Sequence, residues 1–340
     1  MNEANSANVA GSDNEIPRRL SWQRVLREAV RDIDELARLL DVPAARLRSA
    51  TCESSFPLLV PRGFVARMKK RDIDDPLLLQ VLPRVEEKLG VPGFNDDPLG
   101  EQDIADLGVI RKYRGRTLLI ASGACPVHCR YCFRREFPYT AQLASRHGWE
   151  DAIGKLRSLD DIGEVILSGG DPLSVSNGRL EVLFNALDTI ESVRSIRIHT
   201  RFPIMIPERV DAGLLALLQR SSARIIVVVH CNHANELDDD VQAALRDLAV
   251  PANLLLNQSV LLRDVNDDMA TLASLSHRLF ECGVLPYYLN ALDPVTGTAH
   301  FEVKDERARS LLADLRAELP GYLVPKLVRE VPRASSKMPL

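Results

Sequence analysis

Short apolar runs, each followed by a stretch of helical spacing, set the rhythm of the chain from residue 116 onward. The runs fall at 117–121, 164–167, 195–199, 224–230, 253–262 and 285–292. Between them, apolar residues recur every three or four positions over 149–159, 180–190, 209–220, 238–248 and 269–282. Runs of this length read as strands and the intervening periodicity as helices, and their alternation predicts a parallel sheet. Six such units fall short of the eight of a closed barrel. The pattern therefore predicts an α/β fold, a partial (βα)6 TIM-like barrel, with a flat doubly wound sheet as the alternative.

The first third reads differently. Val25, Leu26, Val30, Ile33, Leu36, Leu39 and Leu40 recur at helical spacing, so one helix is expected over 22–40, capped by Ser21. Pro57, Pro61, Pro76 and Pro83 then break any long element. The expected organisation is a flexible leader over 1–17, a helical region over 18–110, the barrel over 111–300, and a C-terminal segment over 301–340 that closes the site.

Composition narrows the partners. A formal net charge of −4 over 340 residues gives no reason to expect nucleic acid or an anionic membrane surface. No apolar run is long enough to cross a bilayer, and residues 1–16 lack the apolar centre of a signal peptide. A cytoplasmic location is expected. Six cysteines, three of them clustered, suit a reducing compartment where thiols bind metals. Charge and composition leave the oligomeric state open, a homo-oligomer included.

Every expected strand delivers polar groups at its carboxyl end, where α/β folds build their sites. The second ends in Ser168, Gly169, Gly170 and Asp171, and the third in His199, Thr200 and Arg201. The fourth ends in His230, the fifth carries Asn257 and Gln258, and the sixth reaches Asn290 and Asp293. The first leads into Cys125, Cys129 and Cys132, spaced C-x3-C-x2-C. Three thiolates on one loop can hold three irons of a four-iron cluster and leave the fourth iron open to a ligand that is not protein. The competing reading is a structural zinc site. Zinc wants four closed ligands, usually from two paired C-x2-C units, and no second unit exists here.

The cysteine run, with Tyr131 before its last member, resembles the radical S-adenosylmethionine superfamily. Further stretches are similar to the lysine 2,3-aminomutase family within it: Cys132-Phe133-Arg134-Arg135, Ser168-Gly169-Gly170-Asp171-Pro172-Leu173, His233-Ala234-Asn235-Glu236, Asn257-Gln258-Ser259, and the ending Ser336-Lys337-Met338-Pro339-Leu340. The resemblance runs from about residue 20 to the last. It implies an isomerase, an intramolecular aminotransferase, with three cofactors: a [4Fe-4S] cluster on Cys125, Cys129 and Cys132, S-adenosyl-L-methionine, and pyridoxal 5′-phosphate.

The site residues it implies are specific. Tyr131, Ser168, Gly169, Gly170, Asp171, His230 and Gln258 would contact S-adenosylmethionine. Lys337 would form the Schiff base with pyridoxal phosphate, and Arg116 and Lys112 would sit at its phosphate. Arg134 would pair with the substrate carboxylate, a partner its planar guanidinium suits. Asp293 and Glu330 would surround the ε-ammonium of free L-lysine. Each has an ordinary reading as well: a tight turn for the glycines, a tail charge for Lys337, surface ion pairs for the acids.

Two departures refine the resemblance. Glu330 stands where the free-lysine mutase carries aspartate, and the chain stops at Leu340, whereas the catabolic enzyme runs on with further cysteines. The shorter form resembles the branch that makes (R)-β-lysine from (S)-lysine for attachment to elongation factor P by a separate lysyl ligase. A flavodoxin- or ferredoxin-type electron donor is the expected partner. The alternatives are a catabolic mutase, a mutase of another amino acid, and a non-catalytic zinc-binding protein.

Overall fold

In the computed structural model, the described residues are 21–340, apart from Glu53, Ser55, residues 146–148 and Asp160. The leader expected over 1–17 lies outside them. Five short helices open the fold: α1 Trp22–Arg27, α2 Ile33–Leu40, α3 Ala44–Ser49, α4 Arg62–Ala66 and α5 Pro76–Leu79. The single helix expected over 22–40 is thus two. Val30 exchanges backbone hydrogen bonds with Val60 (2.8 and 3.0 Å), and this isolated bridge interrupts the helical ladder between α1 and α2. Ser21 occupies the N-cap position of α1 but makes no side-chain capping bond.

Among the described residues ten strands follow in one sheet: β1 Ala105–Asp106, β2 Val109–Tyr113, β3 Arg116–Ser122, β4 Glu164–Gly169, β5 Ser195–Thr200, β6 Arg224–His230, β7 Leu254–Val260, β8 Leu285–Asn290, β9 Lys326–Arg329 and β10 Met338–Pro339. Their spatial order is their chain order. A doubly wound sheet reverses its order at a switch point, and none occurs here. Strands β3 to β9 are all parallel to their neighbours, while β1–β2–β3 and β9–β10 pair antiparallel at the two margins. The parallel run therefore has a seventh member, β9, beyond the six expected. Strands β1 and β2 also begin inside the stretch read as helical.

The sheet is rolled. Seven strand spacings separate β2 from β9, about 34 Å if the sheet were flat. Yet the Tyr113 hydroxyl at the end of β2 donates to Glu330 Oε1 just after β9. Only a sheet curled into a partial barrel brings those two margins together.

The crossover helices are α6 Glu150–Arg157, α7 Asn177–Asp188, α8 Phe202–Met205, α9 Ala212–Arg220, α10 Asp239–Ala249, α11 Met269–Glu281 and α12 Asp305–Glu318. Asp211, Asp238 and Asp268 each accept a backbone N–H in the first turn of α9, α10 and α11, which fixes where loop yields to helix. The middles of β3, β4 and β6 are apolar and largely buried, whereas β5 alternates buried Ile196 and Ile198 with half-buried Arg197 and His199, and most of β8 is half-buried. The N-terminal helices share one core with the barrel: Leu36, Leu47, Phe64 and Leu78 pack in the same cluster as Leu167, Phe184 and Val229. Arg67 ties them to the loops after β5 and β6, donating to Ile204 O (2.9 Å) and to Glu236 O. Among the described residues no helix is long and apolar enough to cross a membrane.

Candidate active site

The cysteine loop starts where β3 ends and lies directly on the end of β4. Gly170 N–H donates to Ser122 O (2.6 Å) and Asp171 N–H to Ala124 O (2.8 Å). This zipper requires the two glycines. Gly169 has φ +113°, and a Cβ there would sit 2.5 Å from Ser122 O; a Cβ on Gly170 would sit 2.7 Å from Ala124 O. The Asp171 carboxylate accepts from Arg201 N–H (2.7 Å), Leu173 N–H (2.9 Å) and the Thr200 hydroxyl (2.8 Å). Burial raises its pKa to about 6 against the pull of those bonds. The sequence reading put Asp171 at S-adenosylmethionine; its carboxylate is engaged in joining the ends of β4 and β5.

Around the thiols the polar groups are almost fully interlinked. Arg201 was noted at a strand end and given no role. It donates through Nη1 to Cys129 Sγ (2.6 Å) and Tyr131 Oη (2.7 Å), and through Nη2 to Gln80 Oε1 (2.8 Å) and Glu236 Oε2 (3.1 Å). Burial would lower its pKa, but Cys129, Tyr131 and Glu236 together raise it well above the ordinary value. Tyr131 stacks on His230 with ring centroids 5.6 Å apart, its hydroxyl 3.0 Å from His230 Nε2, and Asn232 Nδ2 donates to that hydroxyl at 2.7 Å. Burial holds His230 neutral, its pKa well below the usual. On the other side of the loop, buried Arg130 donates to Glu87 Oε1 (2.7 Å) and Phe56 O (2.6 Å), and Arg135 reaches the same Glu87 (3.0 Å). Burial, then the neighbouring thiols, push Cys125 well up and Cys132 to about 11. As bare thiols these groups resist ionisation, and a bound cation would favour the thiolate.

The opposite half of the cavity is built from β2, β5, β8 and the tail. Arg134, two residues past Cys132 and so on the cysteine side, is clamped by Glu101, from the segment before β1, through Nε (2.6 Å) and Nη2 (2.9 Å), while Nη1 donates to Ser168 Oγ (3.0 Å). Burial alone would lower the Arg134 pKa; the Glu101 carboxylate raises it instead. Lys337 Nζ reaches Asn290 Oδ1 at 2.7 Å and Glu330 Oε2 at 3.3 Å, above the Tyr288 ring at 5.3 Å. Arg116 lies over the Tyr113 ring (4.9 Å). The Lys112 side chain lies outside what the structure describes.

These two halves enclose one cavity of about 310 Å³. The three cysteines, Tyr131, Arg134, Ser168, Gly169, Gly170, Asp171, His230 and Gln258 line it, and so do Arg116, Asp293, Glu330 and Lys337. Sequence reasoning missed Glu101, Tyr113, Arg197, His199, Arg201 and Tyr288, which line it too. Only His199 and Arg201 carried a signal, as polar residues at a strand end.

The donor sets suit the cofactors expected from sequence. Among the described residues, no three His, Cys, Asp or Glu side chains converge as ligands of one ion must. The three thiols all line the cavity, a soft donor set that suits a cluster with one iron to each. At the other end, a lysine amine, Arg116 and Arg197 bring positive charge to the cavity, and the buried Nε2 of His199 has no partner, a position that a bound ligand completes.

A comparison with protein-family models finds no match. Curated proteins match along nearly the whole chain. The L-lysine 2,3-aminomutase of Escherichia coli strain K12 is 45% identical over 326 residues, 95% of each chain. That of Haemophilus influenzae is 40% identical across 92% of this chain and 93% of its own. That of Clostridium subterminale is 29% identical across 94% of this chain and 77% of its own. Among solved structures, a radical SAM methyltransferase from Sphaerobacter thermophilus is 18% identical, covers 65% of this chain and 68% of its own, and superposes with a TM-score of 0.43.

Proposed function

The chain belongs to the lysine 2,3-aminomutase family, and we propose that it converts free (S)-α-lysine to (R)-β-lysine by moving the amino group from the α- to the β-carbon. The observation that carries this reading is the shared cavity: the tail amine of Lys337 and the thiols of Cys125, Cys129 and Cys132 line one space. The cofactors are a [4Fe-4S] cluster, S-adenosylmethionine and pyridoxal phosphate. When bound, these supply a hydrogen-abstracting radical and a carrier for the migrating nitrogen.

The chain's own residues do the rest. Cys125, Cys129 and Cys132 hold iron, with Arg201 donating to the Cys129 sulfur. Tyr131, the Ser168–Asp171 turn, His230 and Gln258 shape the S-adenosylmethionine pocket. Lys337 supplies the amine that anchors pyridoxal phosphate, and Arg116 faces its phosphate. Arg134 receives the substrate carboxylate and is already oriented by Glu101, so its fork needs no reorganisation when the substrate arrives. Asp293 and Glu330 favour a long cationic side chain over a neutral or acidic one. The N-terminal helices and the loops after β5 and β6 shield the thiol end from water, which a radical reaction needs excluded.

The finer reading follows the departure at Glu330. β-Lysine is made for attachment to elongation factor P by a lysyl ligase, in the cytoplasm, with a flavodoxin- or ferredoxin-type protein supplying electrons. The test is anaerobic reconstitution with iron, sulfide and pyridoxal phosphate, then incubation with lysine, S-adenosylmethionine and a reductant. β-Lysine by mass spectrometry after chiral derivatisation is the expected product. Turnover of another amino acid, with lysine unchanged, overturns the substrate assignment.

A further inference from the structure

Lys337 does not hang free in the cavity; its ammonium sits in a receptor of its own. Asn290 Oδ1 accepts from Nζ at 2.7 Å, Glu330 Oε2 lies at 3.3 Å, and the Tyr288 ring centroid at 5.3 Å. An amide oxygen, a carboxylate and an aromatic face are three kinds of group that favour an alkylammonium. Each is fixed from behind. Asn290 Nδ2 donates to Ser259 O at 3.0 Å, so the amide must turn its oxygen toward the lysine. The Tyr113 hydroxyl donates to the other oxygen of Glu330. The Tyr288 hydroxyl accepts from Tyr287 at 3.0 Å. The Lys337 and Glu330 side chains are 25% and 10% exposed, so solvent screens the pair only partly.

We propose that Asn290, Glu330 and the Tyr288 ring, with Tyr113 behind Glu330, form a berth that holds the Lys337 amine whenever it is not bonded to the cofactor. The inference rests on reading Lys337 as the reactive amine. It adds a function for Asn290, which ends β8 and which sequence analysis noted without a role. It also gives Glu330 a duty that precedes the substrate's arrival. A reactive amine on a chain end has many rotamers to search, and a berth beside the cavity shortens that search. Tyr113 is a positioning residue in this scheme: it acts on the amine only through Glu330, across the gap between the two margins of the sheet.

The test uses the full chain without cofactors or substrate, so it is independent of whether lysine is turned over. The chain is pulse-labelled with an amine-acylating reagent, and the rate at each lysine is read by peptide mass spectrometry. In the unaltered chain Lys337 should acylate about tenfold more slowly than exposed Lys326, the effect of one charge-assisted hydrogen bond and its ion pair. Asn290→Leu should raise the Lys337 rate severalfold, while Lys155 and Lys326 keep theirs and so certify the fold. Asn290→Asp, which keeps an oxygen in place, should restore protection. Tyr113→Phe should raise the Lys337 rate less than Asn290→Leu does. Equal rates at Lys337 and Lys326 in the unaltered chain, or an unchanged Lys337 rate in Asn290→Leu, would overturn the berth.

Discussion

The two ends of the cavity are held in opposite ways. At the cysteine end, Arg201 alone makes four hydrogen bonds, and Tyr131, His230, Asn232, Gln80 and Glu236 are tied to it or to one another. Remove one bond and the others still hold the loop. At the tail end, Lys337 makes one hydrogen bond and one ion pair, on a segment that pairs with β9 through only two residues. A metal-binding loop has to keep its thiols in register, so redundancy serves it. The amine proposed to bond to a cofactor and let go again would have to move, so few and exchangeable contacts would serve it. The same cavity thus joins a heavily bonded wall to a sparsely bonded one.

The contrast can be broken at either end. The largest effect should come from Lys337→Ala. Turnover should fall by about 10³-fold or more, while iron and sulfide content stays that of the unaltered protein, because Lys337 contacts Asn290, Glu330 and Tyr288 and not the cysteine loop. Loss of iron together with activity would show that the ends are not independent. Next is Arg201→Leu, which leaves Glu236 buried without its cation. Breaking a buried pair in this way costs about 3–5 kcal/mol, measured as a lower urea midpoint, and the loop should retain less iron. An unchanged midpoint would mean that the network is not the support described here.

The smallest effect is a pH slope that sharpens the comparison. His199 and His230 are both held neutral by burial, with pKa values well below the ordinary one. In the unfolded chain they take up a proton near pH 6.5, so below that pH the unfolded state binds more protons than the folded. Stability should therefore fall as pH drops below about 6.5, by up to about 1.4 kcal/mol per pH unit for each histidine. His230→Gln should flatten the slope measured by urea titration between pH 6.5 and 5. An unaltered slope would show that His230 is already charged in the folded protein.

Much of this was legible in the chain, and the remainder was hidden for physical reasons. The strands from β3 to β8 announce themselves because their apolar runs are long and regularly spaced. β1, β10 and β9 are two to four residues long and carry no periodicity to read. The break between α1 and α2 is a tertiary override, since Val30 finds a strand partner thirty positions away. The cysteines were visible because three ligands share one loop. Glu101 and Arg201 were not assigned, because their meaning depends on partners 33 to 121 positions distant that only folding brings near. Asn290 and Tyr113 are ordinary residues by type; the neighbouring β9 and β10 give Asn290 its lysine, and only the rolled sheet gives Tyr113 its carboxylate.

That roll has a consequence for the order of assembly. Tyr113 and Glu330 stand 217 positions apart, and such a contact can form only after the strands between them have docked, since loop closure over that span is entropically steep until they do. The seam is then among the last native contacts to form. Until it does, the flank of the nascent chamber between β2 and β9 stays unlatched.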